Sequence, residues 1–101
     1  MEKQKYGLLL PNFGEHASVK KLVEGTIKAE KYGFDSVWIR DHLIFQPHGL
    51  EGADKTHVDT FAVLAGLATV TKKIELGTGV VIPLRHPLHL AHQFASLDWM
   101  S

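Results

Sequence analysis

Three short apolar runs, Tyr6–Leu10, Ser36–Ile39 and Ile74–Ile82, each lead into a stretch patterned as a helix, and this alternation constrains the fold more than any other feature. Tyr6 to Leu10 is continuously apolar rather than alternating, the pattern of a strand covered on both faces in a parallel sheet. Pro11 and Gly14 end it. Ser18 stands as an N-cap, and Val19, Leu22, Val23 and Ile27 fall at i, i+3, i+4 and i+8, one apolar stripe of a helix. Lys20, Lys21, Glu24, Lys28, Glu30 and Lys31 occupy the rest, and Gly33 is placed as the residue after the helix end. Asp59 or Thr60 caps a second helix through Phe61–Val70, with Lys72 and Lys73 at its carboxyl end. Pro87 opens a third helix with His86 as its cap, and Leu90, Ala91, Phe94, Ala95 and Leu97 supply its stripe. The order β-α-β-α-β-α implies right-handed crossovers and a parallel sheet, an α/β fold.

The 101 residues make at most one domain, and 45% hydrophobic with 22% charged residues is the balance of a globular chain. Lys plus Arg equals Asp plus Glu at 11 each, so no basic field draws in nucleic acid or an anionic membrane surface. Cysteine is absent, which excludes disulfides and thiolate metal sites. Only Tyr6–Leu10 follows the charged start as an apolar run, too short for a signal peptide core or a membrane span. A cytoplasmic home is the expectation.

The second helix carries no charged residue from Phe61 to Val70. A helix covering only a sheet shows water a polar stripe, so an all-round apolar one is buried twice. Ala62, Ala65, Gly66 and Ala68 permit close approach of a neighbour. The expectation is a homo-oligomer interface through this helix; burial beneath other parts of a larger chain is the alternative.

Chemistry concentrates at two strand ends. Val37-Trp38-Ile39 delivers Arg40-Asp41-His42, and the third run passes through Gly77-Thr78-Gly79-Val80 to Pro83. The carboxyl ends of parallel strands form the active-site face of (β/α) barrels and the crevice of open α/β sheets. Imidazoles titrate near neutrality, so His42 suits proton traffic at a cofactor or substrate; the alternative is a histidine that only hydrogen-bonds the rim. Asp41 either orients His42 or caps the loop that follows, and Arg40 is read as a structural ion-pair partner. Asn12, after the first strand, faces the same end, although Asn beside Pro is also ordinary turn chemistry. Leu43–Val58 is a long loop without periodicity, and such loops are functional or mobile. Its His48 and His57 either meet substrate or are simply solvated. His86, His89 and His92 recur every third residue, but steps of three drift by about 60° on a helix, so the three do not converge on one metal ion.

The phrase from Tyr32 to His42, the stretch from Ile74 to Pro83 with His86-Pro87, and Leu97-Asp98-Trp99-Met100-Ser101 together resemble the bacterial-luciferase-like superfamily. The resemblance runs from Tyr6 to Ser101. It implies a flavin- or deazaflavin-dependent oxidoreductase or monooxygenase on a (β/α)8 TIM barrel, with FMN or coenzyme F420 as cofactor and a small-molecule substrate. It implies a role at the cofactor or substrate face for the Asp41-His42 pair, the catalytic candidates, and cofactor contacts from Thr78, Gly79 and Val80; Asn12 joins these cofactor-binding candidates by its position at the end of the first strand. It also implies a non-prolyl cis peptide at Gly79-Val80, bulging against one face of the ring; a plain glycine bulge is the alternative. A barrel needs eight units and about 250 residues, so the expected architecture is three consecutive βα units. Residues 1–101 are then the amino-terminal part of a luciferase-like barrel domain, inactive alone. Two other classes compete: a metal-dependent barrel hydrolase using Asp41 and His42, weakened by the lack of a His-x-His on the first strand, and a non-catalytic dimerising subunit.

Overall fold

A computed structural model describes residues 1–49 and 52–101. Three parallel strands, β1 (Gly7–Leu10), β2 (Ser36–Ile39) and β3 (Glu75–Thr78), lie side by side in chain order. Helices α1 (Val19–Lys31), α2 (Thr60–Ala68) and α3 (Pro87–Met100) alternate with them. These are the three βα units the alternation predicts.

Local chemistry sets the boundaries. Ser18 Oγ accepts the Lys21 N–H at 3.0 Å to start α1. At its end Gly33 takes φ +85°, and the N–H groups of Gly33 and Phe34 donate to Glu30 and Ala29. This is the paired C-terminal bonding that a left-handed glycine permits. Asp59 caps α2 by accepting from Ala62 N–H at 2.9 Å, and His86 Nδ1 accepts from Leu88 N–H ahead of α3, with Pro87 in the first turn. Glu30 Oε1 accepts three successive N–H groups, Lys72, Lys73 and Ile74, at 2.6–3.0 Å, tying the end of α1 to the entry of β3.

One face of the sheet is packed. Leu10, Val37, Ile39 and Ile74 meet Leu22, Ala29, Val63, Leu64 and Leu67 in the core. The other face is open: Leu9 is 53% exposed and Trp38 42%. The expectation of strands covered on both sides is therefore corrected, because all three helices leave that side uncovered. Trp38 lies along it, its Nε1 donating to Ser36 Oγ at 2.9 Å. Gly7 and Gly77 make room for the indole: a Cβ on Gly77 would sit 2.7 Å from Trp38 Cε3 and Cζ3, and one on Gly7 2.7 Å from Nε1.

Two further expectations are adjusted. In α2 the large residues Phe61, Val63, Leu64 and Leu67 are spent within the chain, against the sheet, α1 and α3, leaving Ala62 and Gly66 exposed. The apolar character of α2 is thus consumed largely by its own neighbours. The third strand ends at Thr78 rather than Ile82: its last ladder bond runs from Gly79 N–H to the Ile39 carbonyl at 2.8 Å, and the chain then turns off. Helix α3 buries no residue fully; Phe94 packs edge-on to Phe61, with centroids 5.3 Å apart.

Candidate active site at the carboxyl ends of the strands

Ile39 and Thr78 are register partners, so β2 and β3 finish level with each other. The segments that follow are joined through Asp41. Its Oδ2 accepts the Ile82 N–H at 2.8 Å, and its Oδ1 accepts from Arg85 Nη2 at 2.5 Å. Burial pushes this carboxyl up, but the Ile82 amide and the Arg85 guanidinium outweigh it and hold Asp41 below the usual carboxylate range. Arg85 in turn lies over the Phe61 ring, 4.9 Å from its centroid. Among the described residues no hydrogen bond joins Asp41 to His42. The two roles weighed for Asp41, orienting His42 or capping the next loop, both give way to a third: it clamps the exit of β2 to the segment beyond β3.

Asn12 is fully buried, and the protein occupies its side chain. Nδ2 donates to the carbonyls of Arg40 at 2.8 Å and Val58 at 3.0 Å, while Oδ1 accepts the Arg40 N–H at 3.2 Å. Thr60 Oγ1 adds a bond to the same Arg40 carbonyl at 2.6 Å. Asn12 therefore ties together the exits of β1 and β2 and the end of the long loop. It shapes the rim and has no polar atom left over for a ligand.

That loop end returns to β1. Phe13 and His57 form an antiparallel bridge, flanked by Gly14 N–H to the Thr56 carbonyl at 2.7 Å and Val58 N–H to the Asn12 carbonyl at 2.8 Å. His42 is half-buried beside it, its ring edge-on to Phe45 at 5.4 Å and to His57 at 5.6 Å between centroids. Phe45 also packs on Phe13 at 5.5 Å, and the Arg40 guanidinium covers the Phe13 ring at 4.3 Å. Burial pushes the His57 imidazole below its ordinary value; a bond to the Arg40 backbone pulls upward and the nearby His42 charge pushes down.

The Gly79–Val80 peptide is cis. Gly79 is exposed on the open face, where a Cβ would meet Trp38 Cβ at 3.8 Å and Leu9 Cδ1 at 3.9 Å, and Val80 is 73% exposed. Leu9, Trp38 and Gly79, with the exposed Val80 after them, make an apolar shelf on the open face. Apolar and aromatic groups of this kind suit packing against a planar ring. Thr78 shares the register and face of Ile39, which is turned to the helices, so it stands on the opposite side of the strand from Gly79. Of the residues expected to touch a cofactor, Gly79 and Val80 are on the open surface, and Asn12 and Thr78 are not.

Two cavities lie away from this shelf. One of about 410 Å³ is bounded by Leu64, Ile74, Phe94 and Asp98, at the amino end of β3, away from these strand exits. Among the described residues no group of three or more histidines and carboxylates could hold a metal ion, and no helix is long and apolar enough to cross a membrane.

Comparison with known proteins converges on one assignment. A sequence model of the luciferase-like monooxygenases matches residues 5–101. The chain belongs to that family. It is 34% identical over 89 residues to an F420-dependent glucose-6-phosphate dehydrogenase of Amycolatopsis mediterranei, covering 86% of this chain and 26% of that protein. It is likewise 34% identical over 92 residues to the alkanal monooxygenase alpha chain of Photorhabdus laumondii, covering 90% and 24%. Its structure superposes on an F420-dependent secondary alcohol dehydrogenase in complex with an F420-acetone adduct, with TM-score 0.78, 31% identity, and 98% of this chain against 29% of that one. The coenzyme F420-dependent tetrahydromethanopterin reductase of Methanopyrus kandleri gives TM-score 0.74 at 33% identity, with 96% of this chain against 24% of that one. This luciferase-like chain thus spans about a quarter of the length of the relatives it matches. The architecture is three consecutive βα units of their α/β barrel.

Two residues central to the site, Arg85 and Trp38, carried no functional signal in the sequence, and His57, read as a substrate contact or a solvated loop residue, instead pairs with Phe13 and packs on His42. Arg85 is a lone arginine before a helix cap. Trp38 reads as one more apolar strand residue. The available clue was the pair of glycines at 7 and 77, which face the same side of the sheet as an intervening tryptophan.

Proposed function

We propose that residues 1–101 form the amino-terminal part of a luciferase-like barrel domain whose whole enzyme is an oxidoreductase using coenzyme F420 or FMN on a small-molecule substrate. The observation that carries this reading is the placement of His42 and the exposed Gly79–Val80 peptide at level ends of adjacent parallel strands, linked through Asp41 and Ile82. When bound, the ring supplies two-electron chemistry that side chains cannot, hydride transfer for a deazaflavin or oxygen activation for a flavin. The protein residues bind and orient. Gly79 and Val80, with Leu9 and Trp38, form the shelf that would hold the ring. His42, whose imidazole has no hydrogen bond among the described residues, would be the group to hold or move a proton beside it. Asp41 fixes the separation of the two strand exits, and Asn12 holds the rim. Thr78 supports the shelf through the backbone. These units alone do not turn over, since in barrels the loops after strands seven and eight often bind the cofactor phosphate.

Titration of the chain with F420 and, separately, FMN, followed by ring absorbance and fluorescence, tests the reading. Saturable binding that weakens in Val80→Asp supports it. Absence of binding to both, also when the chain is combined with the remaining units of a relative's barrel, overturns it. Zinc content with hydrolysis would favour the metal-dependent alternative. Self-association through the Phe61–Val70 helix belongs to the same proposal, supported by the exposed Ala62 and Gly66 one turn apart. Loss of dimer in Gly66→Arg, measured by sedimentation, is its test. The proposed cytoplasmic location is checked by fractionation.

A further inference from the structure

His57 is outside every role assigned so far, yet it stands beside the residue on which the proposed chemistry depends. Its backbone pairs with Phe13, and its Nε2 lies 3.4 Å from Asn12 Nδ2. Three stretches distant in sequence, around residues 12–14, 40–45 and 56–58, therefore meet at one point. There the His42 ring is met edge-on by Phe45 at an interplanar angle of 78° and by His57 at 72°, and those two rings touch each other at 5.8 Å, so the three form one cluster. Hydrogen bonding does not fix His42 among the described residues; ring packing does. Aromatic edge-to-face contacts at 4.5–7 Å set a preferred geometry without consuming either imidazole nitrogen.

We infer that His57 is a positioning residue for His42, its ring and that of Phe45 packing together against the imidazole so that both His42 nitrogens stay open to a ligand. A phenylalanine at position 57 would keep the ring contact. Burial and the neighbouring His42 charge lower the His57 pKa, against the upward pull of its bond to the Arg40 backbone. The charged and titratable groups acting on His57 are His42, Asp41 and Asp59, with the Arg40 backbone as its bonding partner. The inference rests on His42 facing the working side of the fold, but its core, the coupling of the two rings, does not depend on which cofactor binds.

The test is histidine-ring NMR of the full 101-residue chain, with assignments from single variants. The His42 Cε1–H signal is expected to stay displaced by ring currents in wild type and His57→Phe, and to move toward the position of an exposed histidine in His57→Ala. In His42→Phe the titration midpoint of His57 is expected to rise, because a neighbouring positive charge is gone. An unchanged His42 signal in His57→Ala overturns the inference, and so does a His57 midpoint that ignores the loss of His42. If His57→Ala does not fold, the His42→Phe measurement decides alone. F420 titration of the same samples separates the two ideas. Rings that couple as described in a protein that binds neither F420 nor FMN would remove the cofactor reading and leave the positioning of His42 intact.

Discussion

Replacing Gly77 by alanine tests whether Trp38 and the strand glycines are one packing unit. The added Cβ would lie 2.7 Å from Trp38 Cε3 and Cζ3 and 3.1 Å from Cδ2, closer than carbon atoms tolerate. The indole has little room to retreat within the sheet plane, because its Nε1 bonds Ser36 Oγ and abuts Gly7. It must lift off the strand, giving up that hydrogen bond, worth about 1 kcal/mol net, or stay and strain the packing at about 1–3 kcal/mol. Against this, removing a glycine from the unfolded chain returns about 0.4–1 kcal/mol. The expected net effect runs from near zero, if the indole lifts, to a destabilisation of about 2.5 kcal/mol, if it stays.

Trp38→Ala reverses the sign. With the indole gone nothing obstructs the new methyl group, and Gly77→Ala then stabilises by the entropic term alone. Trp38 is 42% exposed, so its own truncation costs about half of the 3–5 kcal/mol typical of a buried aromatic. Urea unfolding followed by far-ultraviolet circular dichroism, which does not depend on the tryptophan, gives all four corners of the cycle. A coupling of about 2 kcal/mol is expected. Additivity to within about 0.5 kcal/mol would show that the indole does not lie over residue 77 and would take the shelf with it.

Other perturbations follow from the same structure. Arg85→Met leaves the buried Asp41 carboxylate without its cation and destabilises by about 3–5 kcal/mol at neutral pH. Asp41 has a lowered folded pKa, so its stabilising contribution is present above its unfolded value and lost as pH falls; the gap between wild type and Arg85→Met in urea unfolding therefore narrows in acid. Glu30→Ala strips the acceptor from three amides and costs about 1 kcal/mol, as a lost helix cap does, while Glu30→Gln costs less. Hydrogen bonds from Ile74, Lys73 and Lys72 lower the Glu30 pKa, so that contribution too fades as pH drops through it. Gly66→Ala, with nothing within 4 Å of the new Cβ, stabilises the exposed face of α2 by about 0.5–1 kcal/mol in thermal unfolding.

What the sequence disclosed follows from how far each signal reaches along the chain. The helix caps Ser18, Asp59 and His86 act over two or three residues, and all three were readable because the capping residue and its partner are close in sequence. The apolar runs gave the strands, and the alternation gave their parallel order. The Gly79–Val80 cis peptide was legible only through family resemblance; no composition or spacing announces it. The partners of Asp41 were not legible at all. Ile82 and Arg85 lie more than forty residues away, and a carboxylate next to a histidine reads as a pair unless the fold shows it turned elsewhere. Strand coverage was misjudged for a related reason. A continuous apolar run says that both faces are apolar, whereas the structure has a helix layer on one face only, leaving Leu9 and Trp38 half in water.

The two ends of the sheet are held by different means, and the contrast bears on function. At the amino end the ties are solvent-exposed: Lys5 with Glu75 at 3.2 Å, Tyr6 N–H with Asp35, and Glu30 with the entry of β3. The exposed Lys5–Glu75 pair contributes little and tolerates movement. At the carboxyl end the ties are buried. Asn12, Asp41 and Thr60 are all removed from water, and each is bonded to the exit of β2 or to the segment following β3. A buried polar group left without its partner costs its full desolvation, so such a network tolerates few alternative arrangements. Burying apolar side chains in those places would serve stability as well. The bonded and buried Asn12, Asp41 and Thr60, close to His42 and Gly79–Val80 in the chain exits, fix where those exits stand. Rigid exits of this kind suit the reaction surface proposed for them, since a network of buried bonded groups holds its geometry.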